Sequence, residues 1–372
     1  MGKTTLSLPE RPLVQPVKLT VPSEPSRPAR TILLLSAYRS DSHAWWADWL
    51  QRSFSHIDWQ VLELPGRHFA WRIRGNPLSW LDRIPPAPPD LILASSMVDL
   101  ATLRGLHPHL GQVPAIYYFH ENQFAYPRSE HQLSTVEAAM VQIYGALAAD
   151  RILFNSEYNR SSYMDGLQDL LARLPDHCPR GVVERLAARS AVLPVPVRAI
   201  KPGSERDPHL VLWNHRWEYD KDPSLFATAL DALAESETEF RLALLGKRSA
   251  TAPEALERIR QRHRQRIVID GWLPRSAYCQ WLGRAAIVVS TARHEFQGLS
   301  LLEAVSAGAS PLVPDDLCYP EQYPSAHRYP VGCAQSLARK LKDWLEQAPP
   351  PRVNIDPWLE AQAGAAWQRV LR

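Results

Sequence analysis

From Thr31 onward the chain alternates short apolar runs with polar loops and amphipathic stretches. Residues 32–35 are uniformly apolar, which is how a strand buried on both faces of a parallel sheet reads. Runs at 60–64, 90–94, 115–119, 151–155 and 191–197 read as further strands. Residues 44–54 have helical spacing, with Ser42 or His43 near the helix cap. Ser156 is placed to cap another helix that starts at Glu157. The rhythm restarts with strands at 209–213, 241–245, 267–270 and 285–289 and a last one from Ser310. Helices are expected after Pro223 and over 254–266 and 299–307, with closing helices around Trp344 and over 358–371. Repeated strand–helix units predict an α/β protein of two Rossmann-like domains facing across a cleft. The expected boundaries are 31–198 and 209–345, with a linker at 199–208 and a closing helix within 346–372. Residues 1–30 carry many prolines and no period, and read as a disordered extension.

Composition narrows this picture modestly. The 372 residues carry a formal net charge of +3, too little to hold nucleic acid by charge alone. Arginine far outnumbers lysine among the 42 cations, which suits forked contacts to phosphate or carboxylate. No apolar window approaches a membrane span, and the N-terminal segment lacks the apolar core of a signal peptide. The four cysteines show no Cys-x-x-Cys spacing and read as free thiols in a reducing compartment; no metal site is expected.

Candidate chemistry concentrates in a few loops. Residues 287–321 form a strand, a polar loop holding His294, Glu295 and Gly298, a helix ending before Gly308, and a second strand. A helix entered through glycine lets a phosphate approach its N–H groups closely. Arg216 and Lys221 follow the strand at 209–213 and can both meet a diphosphate, one as a fork and one as a point charge. Glu303 can accept two ribose hydroxyls and Glu295 two sugar hydroxyls. His120, Glu121 and Asn122 sit just past the strand at 115–119, where functional groups gather in such sheets. His120 is either a functional group at that strand end, where its natural pKa near neutrality would suit a general base, or a satisfied half-buried histidine. Residues 65–74 interleave Arg67, Arg72 and Arg74 with Trp71; this is either a polynucleotide-binding stretch or a solvated loop with its Trp in the core.

The second half resembles retaining glycosyltransferases of the GT-B fold: Glu295 and Glu303 match their Glu-x7-Glu motif, and Arg216 and Lys221 their phosphate clamp. A narrower resemblance spans nearly the whole chain. The strings SDSHAWWADWL, LPGRHFAWRIRGNPLSW, YYFHENQFAYP, FNSEYNRSSY, LWNHRWEYDKDP and STARHEFQGLSLLEAVSAGASPLVPDDLCYPE are similar to those of the tRNA-queuosine α-mannosyltransferases. That resemblance implies a cytoplasmic, metal-independent enzyme moving mannose from GDP-mannose to queuosine in tRNA-Asp, by front-face displacement without a covalent intermediate. It implies catalytic roles for His120 and Glu295. Donor binding falls to Arg216, Lys221, Gly298, Leu299 and Glu303. The acceptor is expected on Ser42, His43, Arg67, Trp71, Arg72, Arg74, Glu121 and Asn122. The first loop departs from the family: Arg39-Ser40-Asp41 stands where glycines are usual, so Arg39 is expected to alter approach to that loop. Asp315, Asp316 and Glu321 fit the family string without an assigned role. The competing readings are a GT-B enzyme using another nucleotide sugar and a glycan, lipid or metabolite acceptor, and a non-catalytic nucleotide- or RNA-binding protein.

Overall fold

A computed structural model of the chain describes residues 30–126, 136–174, 177–203, 205–248, 254–347 and 349–372. All but the last residue of the expected N-terminal extension (1–30) lies outside them. Six strands form the first sheet: β1 (Thr31–Arg39), β2 (Asp58–Pro65), β3 (Leu91–Ser95), β4 (Ala115–Phe119), β5 (Arg151–Phe154) and β6 (Ser190–Val192). They run parallel in the order β2-β1-β3-β4-β5-β6. The second sheet holds β7 (Asp207–Trp213), β8 (Arg241–Leu245), β9 (Ile267–Gly271), β10 (Ala285–Val289), β11 (Ser310–Pro314) and β12 (Arg328–Tyr329). It too is parallel, in the order β12-β11-β10-β7-β8-β9.

The apolar runs explain the layering. In β1, Leu33 and Leu35 enter one core cluster while Ile32 and Leu34 enter the cluster on the opposite face. In β7, Val211 and Trp213 face one way and Leu210 and Leu212 the other. Strand order reverses direction between β1 and β3 in the first sheet and between β7 and β10 in the second. Crevices for ligands open beyond the C-terminal ends of strands at such points.

The C-terminal helix Glu360–Val370 returns to the first sheet. Its Trp367 packs against Tyr118 at 5.0 Å and Trp46 at 5.7 Å, and its indole N–H donates to the Pro194 carbonyl at 2.9 Å. Residues of the expected linker lie on the second domain. The Ile200 N–H donates to the Ser306 hydroxyl, Arg206 donates to the Ala307 carbonyl, and Gly203 passes directly against Gly283. Two further contacts join the halves. Gln297 exchanges hydrogen bonds with the Val195 backbone at 2.8 and 2.9 Å, and the Glu321 carboxylate accepts the Glu157 N–H at 2.9 Å.

Three local expectations change. The first helix is Asp41–Ser53, so Ser40 is its cap residue and Ser42 and His43 lie in its first turn. Residues 69–79 are a helix (Phe69–Ser79), and Trp71 stands 53% exposed instead of anchored in the core. Gly75 and Pro77 hide that helix in the sequence. Pro77 has no N–H for the Ile73 carbonyl, but the Asn76 amide donates to it at 3.1 Å and so repairs the ladder. The arginine-rich helix ends at Arg262, and its cations are not simply solvated: Arg258 and Arg262 pair with Asp231, and Arg260 with Asp270.

Replacing Trp367 with Ala removes the aromatic seat between the C-terminal helix and the first sheet. Equilibrium denaturant unfolding is expected to show a loss of about 3–5 kcal/mol. A variant as stable as the parent would mean that this helix is not part of the cooperative unit.

Candidate active site

The second-domain side of the cleft is built on the exits of β7 and β10. The β7 exit is Asn214-His215-Arg216. Gly246, at the exit of β8, passes beneath it with φ +139°; a Cβ there would fall 1.9 Å from the His215 carbonyl oxygen. His215 is buried, and its Nε2 lies 2.9 Å from the Ser290 hydroxyl at the exit of β10. The Tyr319 hydroxyl is 2.7 Å from the same Ser290 oxygen, so three segments are pinned to one hydroxyl. Asn214 donates to the Tyr278 hydroxyl at 3.0 Å and to the Ser300 carbonyl at 2.8 Å, while its amide oxygen has no partner among the described residues.

Lys221 ends a short 3-10 turn (Tyr219–Lys221) and is buried. Its three ammonium protons meet the His294 carbonyl at 2.6 Å, Glu295 at 3.2 Å and Asp220 at 3.2 Å. Glu295 in turn accepts the Phe296 N–H at 3.1 Å. Burial alone would raise the Glu295 pKa; Lys221 foremost, with His215, the Gly298 N–H and His294, overcomes it and holds the carboxyl at about 2. His215 and His294 are both pushed down to about 4 by burial, with Lys221 adding to the effect, so both rings are neutral at neutral pH. Gly298, at φ +69°, opens the helix Leu299–Ser306. The first N–H groups of a helix lack partners within it, so those of Leu299 and Ser300 are left for an acceptor from outside the helix. One turn on, Glu303 pairs with Arg275 at 2.7 Å. Arg216 stays about half exposed beside Glu218 at 3.3 Å, within electrostatic reach of Glu295, Asp220 and Tyr126.

The first domain supplies the facing wall from the exit of β4. The Tyr126 ring packs on His294 at 4.2 Å, and its hydroxyl donates to Glu121 at 3.0 Å. Burial raises the Glu121 pKa, opposed by that hydrogen bond and by Arg216. His120 is only 6% exposed. Its ring rests against His43 at 4.0 Å and edge-on to Trp46 and Tyr118, both at 4.8 Å. Burial, then His43, pushes its pKa well below the ordinary value, and its Nε2 has no partner among the described residues.

The structure therefore brings Lys221, Glu295, Gly298, Leu299 and Arg216 together, with Glu121 facing them. Several other expected residues make contacts within the first domain. His43 lies beneath His120 with Nδ1 held by the Ser40 hydroxyl at 2.7 Å. Asn122 is spent in a buried network: it donates to Asn159 and Ser162 and accepts the Phe124 and Ala125 N–H groups. Arg74 is tied to Asp99 at 2.6 Å and Glu137 at 3.1 Å. Ser42 stays in the first turn beside Ser40, at 3.5 Å between hydroxyls. Arg39, expected to alter approach to the first loop, pairs instead with Asp48 at 2.9 Å and with Glu63. Of the unassigned acids, Asp315 pairs with Arg328, Asp316 caps the Leu317 N–H, and Glu321 caps a first-domain helix. Sequence reasoning missed Asn214, His215, Asp220, Tyr126, Arg275 and Tyr278. Tyr126 and His215 lay within quoted strings, next to chosen residues; Arg275 reaches Glu303 from a separate helix and left no local signal.

Comparison with known proteins fits this arrangement. Residues 31–197 match the family model described as tRNA-queuosine alpha-mannosyltransferase N-terminal, and residues 208–347 match Glycosyl transferases group 1. A tRNA-queuosine alpha-mannosyltransferase of Drosophila melanogaster is 34% identical over 337 residues, covering 87% of this chain and 88% of that one. The chain belongs to the tRNA-queuosine alpha-mannosyltransferase family. It is a glycosyltransferase. Solved structures share its fold at low identity. The lipopolysaccharide outer core galactosyltransferase WaaB aligns with TM-score 0.61 at 14% identity, covering 92% of this chain and 99% of that one. Sucrose-phosphate synthase from Thermosynechococcus elongatus aligns with TM-score 0.62 at 11% identity, covering 92% and 98%. Both are GT-B glycosyltransferases, and the two parallel six-stranded sheets of this chain are that fold. Among the described residues no helix is long and apolar enough to cross a membrane, and no group of three His, Cys, Asp or Glu side chains could hold a metal ion.

The Glu295 pKa carries a stability consequence with a definite sign. Its folded value lies below the ordinary 4.5, so its contribution is complete above about pH 4.5 and is lost as pH falls toward about 2. Lys221→Met leaves the carboxylate buried without its cation. Urea unfolding at pH 7 is expected to show a loss of about 3–5 kcal/mol. The gap from the parent should narrow at pH 3; an equal gap at both pH values would show that the pair is not what depresses Glu295.

Proposed function

We propose that the protein moves mannose from GDP-mannose to the queuosine base of tRNA-Asp, in the cytoplasm. The observation that carries this reading is the Lys221–Glu295 pair, set at the Gly298 helix entry in a chain of this family. Arg216 takes the diphosphate as a fork, together with the Leu299 and Ser300 N–H groups. Lys221, with all its protons engaged, adds positive charge and keeps Glu295 ionised. Glu303, steadied by Arg275, accepts the ribose hydroxyls. Glu295 accepts hydroxyls of the transferred sugar and offsets positive charge as the sugar–phosphate bond breaks. Across the cleft, Glu121 has one oxygen on Tyr126 and the other for the acceptor's diol.

Transfer proceeds on one face of the sugar. The bond from C1 to the phosphate oxygen breaks while the acceptor oxygen bonds to C1 from the same side. The acceptor's proton passes to the departing phosphate oxygen, so no enzyme nucleophile is needed. His120 is neutral and acts through its place in the aromatic wall, with Nε2 available to a sugar hydroxyl.

Incubating queuosine-containing tRNA-Asp with GDP-mannose and the enzyme, then weighing the released nucleosides, tests the whole reading. A hexose added to queuosine is expected; unmodified queuosine after incubation with folded enzyme would overturn it. In the same assay Arg216→Ala should cost about 2–4 kcal/mol in kcat/KM, on the scale of losing one oriented donor. The pH profile of kcat/KM should show no ionisation near 6.5. A limb there that vanishes in His120→Ala would return His120 to the role of a general base with an ordinary pKa.

A further inference from the structure

Trp71 lies on the first turn of the helix Phe69–Ser79 and is 53% exposed. Its indole is nonetheless held in place. A Cβ on Gly75, one turn later, would fall 2.5 Å from Cε2, 2.7 Å from Cζ2 and 2.8 Å from Cδ2 of the ring. Three ring atoms so nearly equidistant from one point mean that the ring lies flat across the glycine. One face rests on the helix backbone, and the other is turned to solvent. No residue larger than glycine at 75 leaves the ring there.

The helix that carries the platform starts at the C-terminal ends of β1 and β2, where Arg39 pairs with Pro65. The loop before the helix is seated on the first loop, since a Cβ on Gly66 would meet the Arg39 carbonyl oxygen at 2.6 Å. Phe69 packs edge-on against Tyr38, with ring centres 6.0 Å apart. Tyr38 is within electrostatic reach of Glu121, Arg216 and Glu218, the groups of the site itself. Along residues 67–74 the arginines divide into two kinds. Arg74 is consumed by Asp99 and Glu137, whereas Arg67 and Arg72 have no ion-pair partner among the described residues. An exposed aromatic face in a stretch that also carries arginines without ion-pair partners suits single-stranded nucleic acid, stacking one base while cations neutralise nearby phosphates.

We propose that Trp71 stacks on an unpaired nucleobase of the acceptor tRNA, in the loop that presents the modified base to the cleft, while Arg67 and Arg72 contact the backbone phosphates beside it. Arg74 belongs to the scaffold. The inference rests on tRNA being the acceptor, as proposed above. It assigns to Gly75 a function that its place in a helix interior would otherwise argue against.

The test uses the full-length enzyme, queuosine-containing tRNA and GDP-mannose, with separate KM values for each substrate. Trp71→Ala is expected to raise the KM for tRNA roughly 5- to 100-fold, the range of one lost base stack, and to move the KM for GDP-mannose less than twofold. Trp71→Phe should recover most of that loss. Gly75→Ala should keep or raise the melting temperature, since alanine favours helix, yet weaken tRNA binding by lifting the ring. Arg67→Gln and Arg72→Gln should each lower the slope of log affinity against log salt by about one, and Arg74→Gln should leave it unchanged. If the parent enzyme glycosylates tRNA while Trp71→Ala keeps its tRNA KM within twofold, the platform is wrong and the acceptor reading stands. If the parent glycosylates no tRNA, the acceptor reading fails and the platform fails with it.

Discussion

The pairing of buried Lys221 with partly buried Glu295 is the constraint around which the second domain's ligand face is arranged. A lysine removed from water is tolerable only if it finds its partner and its remaining hydrogen bonds. Here Asp220, the His294 carbonyl and the Phe296 N–H complete both shells. These groups come from the β7 exit and from the β10 exit. Satisfying the pair therefore fixes two loops against each other at the reversal of strand order. Gly298 follows within three residues, so the helix entry inherits the position of Glu295.

The same electrostatics keep the surrounding imidazoles neutral. His215 and His294 lie too close to Lys221 and too far from water to carry a second positive charge. Across the cleft, His120 is neutral for a different reason: an aromatic wall and a second imidazole surround it. The cleft thus presents ionised carboxylate and guanidinium groups against uncharged rings. That contrast suits a ligand with a charged diphosphate at one end and an uncharged sugar at the other.

Much of this was legible in the sequence, because the deciding signals were local. The apolar runs gave nearly every strand, and the spacing of Glu295, Gly298 and Glu303 placed a carboxylate, a helix entry and a second carboxylate in order. What could not be read was pairing between distant segments. Nothing near Glu303 announces Arg275, and nothing near Asn122 announces that Asn159 and Ser162 consume it. Asn122 and His43 have the polarity of binding residues, and both also make contacts inside the first domain that the sequence does not announce. The helix Phe69–Ser79 was hidden for a related reason: its glycine and proline violate helix propensity, and the Asn76 repair shows only in three dimensions.

Gln297 stands between Glu295 and the helix entry at Gly298, and its amide copies a strand pairing with the Val195 backbone of the other domain. Those two bonds tie the loop that carries Glu295 to the first domain. Any rotation that parts the domains at Val195 must either break both bonds or drag the loop that carries Glu295. The position of that loop and the spacing of the domains at Val195 are then coupled. By reciprocity, whatever steadies the loop also favours the arrangement of the domains in which both bonds are made.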